Sequence, residues 1–257
     1  LYSTTCGWMM WNWLVFGLGR GATIVLVDGS PGHPNVERLW QISSDEKLSF
    51  LGVSAALIDV WRQQNLEPKQ KYELSSLRTI ASTGSPLAAS GFDWVEESVG
   101  SEVSVVSIAG GTDLCGCLVL GVPTEKVRRG EIQGPALGLD VVVLRADGTE
   151  ADPLEDGELV CRTPFPTVPL GFWGDDNRSK IQAAYFDRFE GIWAHGDHAR
   201  RTATGGFEIL GRLDATLNSK GVRIGTAEIY RVVLTVSGIS GALAVAQPAG
   251  NDIRVVL

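Results

Sequence analysis

The sequence has few of the residues that zinc-binding and disulfide-rich proteins use. It contains four cysteines and three histidines among 257 residues. No two cysteines form a Cys-x-x-Cys pair, and the histidines lie far from them in the sequence, which argues against a zinc cluster. Scattered cysteines without a secretory leader predict buried thiols in a reducing compartment, so we expect a cytoplasmic protein.

Other absences exclude whole classes of function. The net charge of −8 and the pI of about 5.0 argue against a general nucleic-acid binder, which normally carries a basic stripe. No apolar run is long enough for a membrane span, because Thr, Asn and Gly interrupt the Trp-rich start of the chain. A Gly-x-Ser-x-Gly elbow is also absent, which argues against a serine–histidine hydrolase. We therefore expect no nucleic-acid and no membrane partner.

The first half of the chain alternates short strands with helices. The pattern predicts helices at residues 34–46, 55–65 and 87–99, and strands at 21–28, 47–54, 77–83 and 102–111. The first strand, GATIVLVD, is rich in β-branched residues and is followed by a Gly-Ser-Pro turn, so we expect it to be buried. Such alternation is typical of a layered α/β sheet.

The second half has a different pattern. Residues 131–163 predict several short strands, with a hairpin turn at Asp147-Gly148 and a strand at 157–163. Later segments predict a strand at 216–224, a helix at 226–236 and a strand at 242–247. We expect an α/β fold in three parts, namely a layered sheet-and-helix part at 1–130, a β-rich subdomain at 131–213 and the start of a small α+β domain at 214–257.

Two polar loops follow predicted strands of the first part. One contains Gly84, Ser85 and Pro86, and the other is Gly110-Gly111-Thr112-Asp113. Ligands of open α/β sheets bind at the carboxyl ends of the strands, so both loops could line one cleft. Thr112 offers a hydroxyl to a phosphate, and Asp113 offers the carboxylate oxygen that Mg²⁺ prefers. Either loop by itself is more typical of an ordinary turn than of a ligand site.

Two further motifs lie in the second half. In WAHGDH, Asp197 could accept hydrogen bonds from two ribose hydroxyls, whereas His195 and His198 lack the partner spacing of a metal site. The last motif begins at Arg212 and continues through Asp214, Gly221 and Arg223. Arginine suits bidentate phosphate contact, and Asp214 stands where the pattern changes, as a hinge would.

In their order along the chain, these four motifs resemble those of the adenylate-forming superfamily of acyl-CoA synthetases, luciferases and peptide-synthetase adenylation domains. TGSPL is similar to the adenine loop, and GGTD stands where relatives have an aromatic-x-Thr-Glu motif. WAHGD is similar to the ribose motif, and GRLDATLNSKGVRIGTAEIY to the hinge block. The resemblance implies the adenylate-forming fold and a reaction that uses ATP, Mg²⁺ and coenzyme A.

The resemblance also implies a role for each motif residue. Thr112 would contact the α-phosphate, Asp113 would bind magnesium, and Arg223 would reach phosphate when the thioester forms. The adenine would lie beside Gly84, Ser85 and Pro86, the ribose beside Asp197 and Arg212, and the pantetheine arm beside Gly221. Asp214 would be the pivot of a mobile domain.

Three segments are most similar to the acetoacetyl-CoA synthetase group of that family, namely residues 2–18, 22–31 and 217–230. Acetyl and propionyl enzymes carry a tryptophan where this chain has Gly110. Gly110 and Gly111 would therefore leave room for a longer acid such as acetoacetate, and Gly110→Trp would shift the preference toward acetate.

The chain departs from the family pattern in two places. It contains neither the Ser/Thr/Gly-rich phosphate loop nor the late catalytic lysine, so we expect an internal fragment that does not catalyse adenylation alone. Two alternatives stay open: a synthetase for another short- or medium-chain acid, and a truncated nucleotide-binding module without catalysis.

Overall fold

The computed structural model describes residues 1–213, 217–219, 222–224, 226–236, 238–239, 241–249 and 252–257. It confirms the predicted α/β class. The chain divides into two compact units, Leu1–Gln133 and Gly134–Leu257. The predicted boundaries after residues 130 and 213 stay a prediction. Among the described residues, none of the helices combines the length and the apolar character needed to cross a membrane.

The first unit contains helices and strands in alternation. Its helices are α1 (Met9–Gly19), α2 (Arg38–Asp45), α3 (Ala55–Gln63), α4 (Pro68–Lys71) and α5 (Ala89–Ser98). Its strands are β1 (Phe50–Ser54), β2 (Thr79–Thr83), β3 (Ser104–Ser107), β4 (Ala109–Gly111) and β5 (Gly116–Leu120). The predicted helices 34–46, 55–65 and 87–99 are confirmed as α2, α3 and α5, and the predicted strand 102–111 is divided into β3 and β4.

Strands β1, β2 and β3 form a parallel sheet in that order. Parallel neighbours need a crossover connection, and α3 and α5 provide it. The Ser54 side chain begins α3 by accepting a hydrogen bond from the Leu57 N–H at 3.2 Å, and Ile58 and Trp61 then face the core. The middle of β2 is buried, as is usual for a parallel sheet with both faces covered.

Three buried tryptophans form the centre of this core. The ring centroids of Trp40 and Trp61 are 4.5 Å apart, and Trp94 lies 6.1 Å from each of them. The indole N–H of Trp61 donates to the Val36 carbonyl at 2.9 Å, and that of Trp94 donates to the Leu66 carbonyl at 3.2 Å. The rings therefore join both crossover helices to α2 and to the loops beside it.

The predicted buried strand at 21–28 is wrong. The segment is not assigned to any sheet or helix in the part of the chain that the structure describes. Val25 and Val27 pack against the core, whereas Leu26 is 59% exposed. A β-branched run favours an extended backbone, but a strand also needs a neighbour that pairs with its N–H and C=O groups.

The second unit is mainly antiparallel. Its strands are β6 (Gly134–Pro135), β7 (Val141–Leu144), β8 (Asp156–Cys161), β9 (Trp193–Arg201), β10 (Phe207–Arg212), β11 (Leu217–Ser219), β12 (Val222–Ile224), β13 (Val245–Ala249) and β14 (Asp252–Val256). Its helices are α6 (Ser179–Tyr185) and α7 (Thr226–Val233). Strands β7 to β10 form a sheet in the order β10-β9-β8-β7, and β11 pairs with β12 and β13 with β14.

The predicted turn at Asp147-Gly148 is confirmed. The Arg145 N–H donates to the Thr149 carbonyl at 2.8 Å, and Gly148 has a φ of 85°. The predicted helix 226–236 is confirmed as α7. The single strand predicted at 216–224 is wrong, since this segment contains the antiparallel pair β11 and β12, and a backbone that reverses direction cannot continue one strand.

Helix α6 begins at a carboxylate that the sequence pattern did not reveal. Asp175 accepts hydrogen bonds from the Lys180 and Ile181 N–H groups, both at 2.9 Å. These N–H groups belong to the first turn, where helical partners are missing, so the side chain satisfies them. Burial raises the pKa of Asp175, but the two N–H donors and the charge of Lys180 outweigh it and lower the pKa below 3.8.

We expect Trp61→Ala to lower the free energy of unfolding by about 3–5 kcal/mol, because it leaves a large cavity between the other two indoles. Urea denaturation followed by circular dichroism measures this loss. Trp173→Ala is the matched control: Trp173 is 101% exposed, and its removal should change stability by less than about 0.5 kcal/mol. Equal effects of the two changes would contradict the buried cluster.

The Asp175 carboxylate also predicts a pH dependence of stability. Because its folded-state pKa lies below its unfolded value, the ionised group stabilises the fold above about pH 4 and loses this effect as the pH falls through the folded pKa. Asp175→Asn should therefore be less stable than the parent at pH 7, and the difference should shrink in acid. Asp176→Asn, at the exposed neighbour, should show no such trend in urea titrations across pH.

Candidate functional site

The segments that lead to the two polar loops of the first unit leave neighbouring strands, β2 and β3, of the parallel sheet. The Ile108 N–H donates to the Ser82 carbonyl at 3.0 Å, and the Thr83 hydroxyl donates to the Ile108 carbonyl at 3.4 Å. The loop that begins at Gly84 therefore starts beside the strand that leads to Gly110. Gly84 has a φ of 89°, a conformation that glycine adopts without strain. Ligands of open α/β sheets bind at such edges.

The end of this second loop faces solvent. Thr112 and Asp113 are both exposed, and the turn that they begin is closed by the Cys115 N–H, which donates to the Thr112 carbonyl at 3.1 Å. The Asp113 carboxylate accepts a hydrogen bond from the Leu114 N–H at 3.2 Å. The loop thus presents a hydroxyl and a carboxylate side by side, which together suit a phosphate and the cation that accompanies it.

Gly110 lies where two backbones approach closely. It is in β4, opposite Cys117 of β5, beside a register shift in the pairing. A β-carbon at position 110 would be 2.5 Å from the Cys117 α-carbon and would also overlap the Gly116 carbonyl. The predicted Gly110→Trp change would therefore displace β5, so it does not test the acid specificity cleanly.

A cavity of about 390 Å³ opens in the first unit, a size suited to a small molecule. Thr83 and Gly84 of the adenine-loop motif belong to its lining, as do Ser54 and the aromatic side chains of Trp8 and Trp11. Trp13 instead packs against the neighbouring core. The Trp-rich start of the chain therefore supplies both pocket wall and core.

Beside this cavity lies a buried tyrosine that sequence reasoning missed. The Tyr2 ring lies where any side chain at position 52 would be, which explains Gly52. Burial raises the pKa of the Tyr2 hydroxyl, and nearby Cys117 raises it further. Burial likewise raises the pKa of the Cys117 thiol to about 12, so this thiol stays protonated and unreactive near neutral pH.

All four cysteines are free thiols. The prediction of buried thiols is right for Cys117 and Cys161, and Cys115 is half-buried. It is wrong for Cys6, which is exposed because it lies in the loop that precedes α1. Loops run over the surface, so spacing alone could not assign this residue.

In the second unit the structure brings Asp197 and Arg212 together. Their side chains form an ion pair at 3.3 Å, and the Arg212 guanidinium also donates to the His195 carbonyl at 3.1 Å. The side chain of Asp197 is 10% exposed and that of Arg212 is 51% exposed. The pair therefore presents a largely buried carboxylate beside a more open guanidinium, a combination that can bind a polyol next to a phosphate.

A double β-bulge brings the side chains of Asp197 and Arg212 together. Between the pairs Glu158–His198 and Val160–Ala194, β8 has one intervening residue and β9 has three. On the other side, β10 has an extra residue, and Arg212 then pairs with Asp197. Bulges bend a strand and redirect its side chains, and they occur often beside functional sites.

The two histidines of this motif have local partners. The Trp193 indole N–H donates to His195 Nδ1 at 3.2 Å, and His195 Nε2 lies 3.8 Å from the Asp197 carboxylate. His198 Nε2 lies 3.7 Å from an Asp156 carboxylate oxygen. No group of three or more His, Cys, Asp or Glu side chains positioned for a metal ion occurs among the described residues.

The last motif is described only in part. Arg223 lies in β12, where its backbone pairs with Asn218 of β11. Asp214 and Gly221 lie outside the described residues. Their predicted roles as hinge and as coenzyme A contact stay predictions.

Sequence reasoning missed Glu158, which lies beside the bulge on the neighbouring strand. Its side chain is only 4% exposed, and its Oε2 lies 2.5 Å from Arg188 Nε. The available signal was a charged residue inside the apolar run GELVC, since buried charges need a specific partner.

We expect Gly110→Ala to lower the free energy of unfolding by about 1–3 kcal/mol, because its methyl group overlaps the β5 backbone. Gly171→Ala is the control, since a β-carbon there meets no atom within 4 Å. Thermal unfolding followed by circular dichroism compares the two. A Gly110→Ala variant as stable as the control would contradict the close approach of β4 and β5.

Comparison with known proteins identifies the family. The profile of the AMP-binding enzyme family matches residues 2–173. A Rhizobium meliloti protein named acetoacetyl-coenzyme A synthetase is 50% identical over 256 residues, which is the whole of this chain and 39% of the relative. A Gallus gallus acetoacetyl-CoA synthetase is 44% identical over 261 residues, again the whole of this chain and 39% of the relative. The chain thus spans about two fifths of the length of these relatives.

Solved structures show the same fold. An acetoacetyl-CoA synthetase from Streptomyces lividans matches with a TM-score of 0.87 and 40% identity, over 95% of this chain and 38% of that one. An anthranilate CoA ligase in complex with anthranoyl-AMP matches with a TM-score of 0.74 at 20% identity, over 91% of this chain and 43% of that one, and supports the fold alone. Because the family profile matches more than half of the chain, this chain belongs to the AMP-binding enzyme family.

Proposed function

We propose that this chain forms part of an ATP-dependent acid–thiol ligase that makes acetoacetyl-CoA from acetoacetate. The observation that carries the proposal is the pairing of Asp197 with Arg212 at the double bulge, which suits a nucleotide ribose. The names of relatives at 44–50% identity support acetoacetate as the acid. A cytoplasmic location and small-molecule partners belong to the same proposal.

The proposed reaction has two steps. The acetoacetate carboxylate attacks the α-phosphate of ATP, the bond to the β-phosphate breaks, and pyrophosphate leaves with that electron pair. The thiolate of coenzyme A then attacks the acyl carbon of the adenylate and displaces AMP. Both steps place negative charge on phosphate oxygens, so the task of the protein is to position the reactants and to stabilise that charge.

In the second unit, Asp197 would accept hydrogen bonds from the ribose hydroxyls, and Arg212 would donate to the ribose. A carboxylate accepts through both oxygens, so one side chain can hold two neighbouring hydroxyls. The low exposure of Asp197 makes these bonds stronger than they would be in open solvent, because water competes less.

In the first unit, Gly84, Ser85 and Pro86 would lie against the adenine, and Thr112 would donate to the α-phosphate. Asp113 fits a magnesium ligand, because its carboxylate is exposed at the sheet edge and Mg²⁺ usually takes one or two carboxylates together with substrate phosphates. Bound there, the ion would neutralise charge on the phosphates. Thr112 and Asp113 contribute by their fixed positions at the end of β4.

Gly110, Gly111 and the Trp-lined cavity would accommodate the acid. The remaining roles concern residues whose side chains the structure does not describe. Arg223 would contact phosphate in the second step, Gly221 would allow the pantetheine arm to pass, and Asp214 would be the pivot between the two steps.

A chimera tests the proposal. Residues 1–257 replace the matching 256-residue region of the Rhizobium meliloti relative, and ATP–pyrophosphate exchange is measured with acetoacetate, acetate, butyrate and no acid. We expect exchange that depends on acetoacetate, with kcat/KM at least about tenfold above that for acetate. A higher kcat/KM for another acid would favour a different acyl-CoA synthetase, and no exchange in a folded chimera would favour a module without catalysis.

In this chimera, Asp113→Asn should lower kcat/KM for exchange by about 100-fold and raise the Mg²⁺ concentration for half-maximal rate, because an amide is a weaker ligand for a hard cation. Asp113→Glu, which keeps a carboxylate on a side chain longer by one methylene, should keep activity within about tenfold of the parent. Glu102→Gln removes an equal charge at an exposed site of the same unit and should have no effect. An Asp113→Asn chimera with parental magnesium dependence would contradict the assignment.

A further inference from the structure

His195 is a buried histidine beside the Asp197–Arg212 pair, and its two ring nitrogens face different partners. Its Nδ1 accepts a hydrogen bond from the Trp193 indole N–H at 3.2 Å, and its Nε2 lies 3.8 Å from Oδ2 of Asp197. Only 3% of the His195 side chain is exposed. The ring therefore lies between a hydrogen-bond donor on one side and a carboxylate on the other.

The contact with Trp193 decides which nitrogen of His195 carries the proton. An indole N–H only donates, so the ring nitrogen that accepts from it has no proton of its own. The neutral imidazole then carries its proton on Nε2, the nitrogen that faces Asp197. A hydrogen bond at one imidazole nitrogen thus sets what the other nitrogen presents to its neighbour.

Aromatic packing holds Trp193 in the position from which it donates. Its ring stacks on Tyr185 with the centroids 3.8 Å apart, and Phe165 and Phe186 meet it edge-on at 5.6 and 5.8 Å. Trp193 is only 2% exposed. Because a buried indole N–H needs an acceptor, this cluster keeps the N–H directed at His195 Nδ1.

The Asp197 carboxylate has a polar hydrogen-bearing nitrogen beside each of its oxygens. Arg212 Nη1 lies 3.3 Å from Oδ1, and His195 Nε2 lies 3.8 Å from Oδ2. The second distance is longer than a hydrogen bond, so the imidazole acts through the electrostatic attraction of its N–H dipole. Burial strengthens that attraction, because little water screens it. The Arg212 guanidinium also donates to the His195 carbonyl at 3.1 Å, which joins the two neighbours of the carboxylate.

We propose that His195 is a positioning residue which, as the Nε2–H tautomer set by Trp193, orients the Asp197 carboxylate between its own ring and Arg212. His195 acts through Asp197 and not on the nucleotide itself. The part of the proposal that concerns a nucleotide rests on the proposed function, whereas the orientation of the carboxylate does not.

A core histidine that only satisfies Trp193 is the simpler alternative. Such a role needs one acceptor, Nδ1, and the direction of Nε2 has no consequence for it. Two substitutions separate the alternatives. Glutamine keeps an N–H donor at the end of its side chain, whereas phenylalanine keeps a ring and has no donor. A positioning role therefore predicts that glutamine at position 195 restores part of what phenylalanine removes.

The test uses the 257-residue chain with His195→Phe, His195→Gln and the matched control His198→Phe. His198 is a buried histidine of the same strand, but its Nε2 lies 3.7 Å from Asp156, and successive strand residues point to opposite faces. Nitrogen NMR shifts of the His195 ring report its tautomer, and the carboxyl-carbon shift of Asp197 reports its surroundings. Calorimetry gives AMP affinity, and urea denaturation gives stability.

In the parent we expect the neutral His195 ring to be protonated on Nε2. His195→Phe should change the carboxyl-carbon shift of Asp197 and weaken AMP binding about fivefold, as for the loss of one polar partner of a buried carboxylate. His195→Gln should recover most of that affinity. His198→Phe should lose stability to a similar extent but keep the parental Asp197 shift and AMP affinity.

A parent ring protonated on Nδ1 would overturn the proposal, and this measurement decides it even where His195→Phe does not fold. An unchanged Asp197 shift in His195→Phe would also overturn it, as would equal weakening of AMP binding in His195→Phe and His198→Phe. A parent chain that does not bind AMP would count against the proposed nucleotide site, and the tautomer and the Asp197 shift would then decide the positioning role.

Discussion

Backbone hydrogen bonding between strands is the interaction on which the other features depend. In the first unit, parallel pairing of β1, β2 and β3 requires crossover helices, and it brings the ends of all three strands to one edge. The segments that lead from β2 to Gly84 and from β3 to Gly110 start side by side for that reason. In the second unit, antiparallel pairing is regular along most of β8 and β9, and the Asp197–Arg212 pair lies where that regularity fails.

Two charged side chains are buried in the sheet of the second unit, and each lies beside a partner of opposite charge. Asp197 pairs with Arg212 at 3.3 Å, and Glu158 Oε2 of the neighbouring strand lies 2.5 Å from Arg188 Nε. The burial of Glu158 is unfavourable for its charged form, and the charges of Arg188 and Arg212 partly offset that effect.

Local pattern was a good guide where the spacing or the turn residues of a segment decide its structure. Helices α2, α3 and α5 follow from apolar spacing, and the Asp147-Gly148 turn follows from turn chemistry. The prediction of a strand at residues 21–28 failed because β-branched composition describes a preference of the backbone and not the presence of a pairing partner. Helix α1 was missed because its apolar residues surround the axis instead of forming a stripe, and α6 was missed because it is short and begins at Asp175.

The order of four motifs along the chain was enough to predict the family, because a motif is recognised from its residue types and their spacing, without the tertiary structure. Local periodicity was likewise enough for the α/β class. Three other features emerged only in three dimensions: the Asp197–Arg212 pair, the burial of Glu158 on the neighbouring strand and the lack of room at Gly110. Each depends on the register between strands and on how closely two backbones approach, and these quantities are set by atoms from distant parts of the chain.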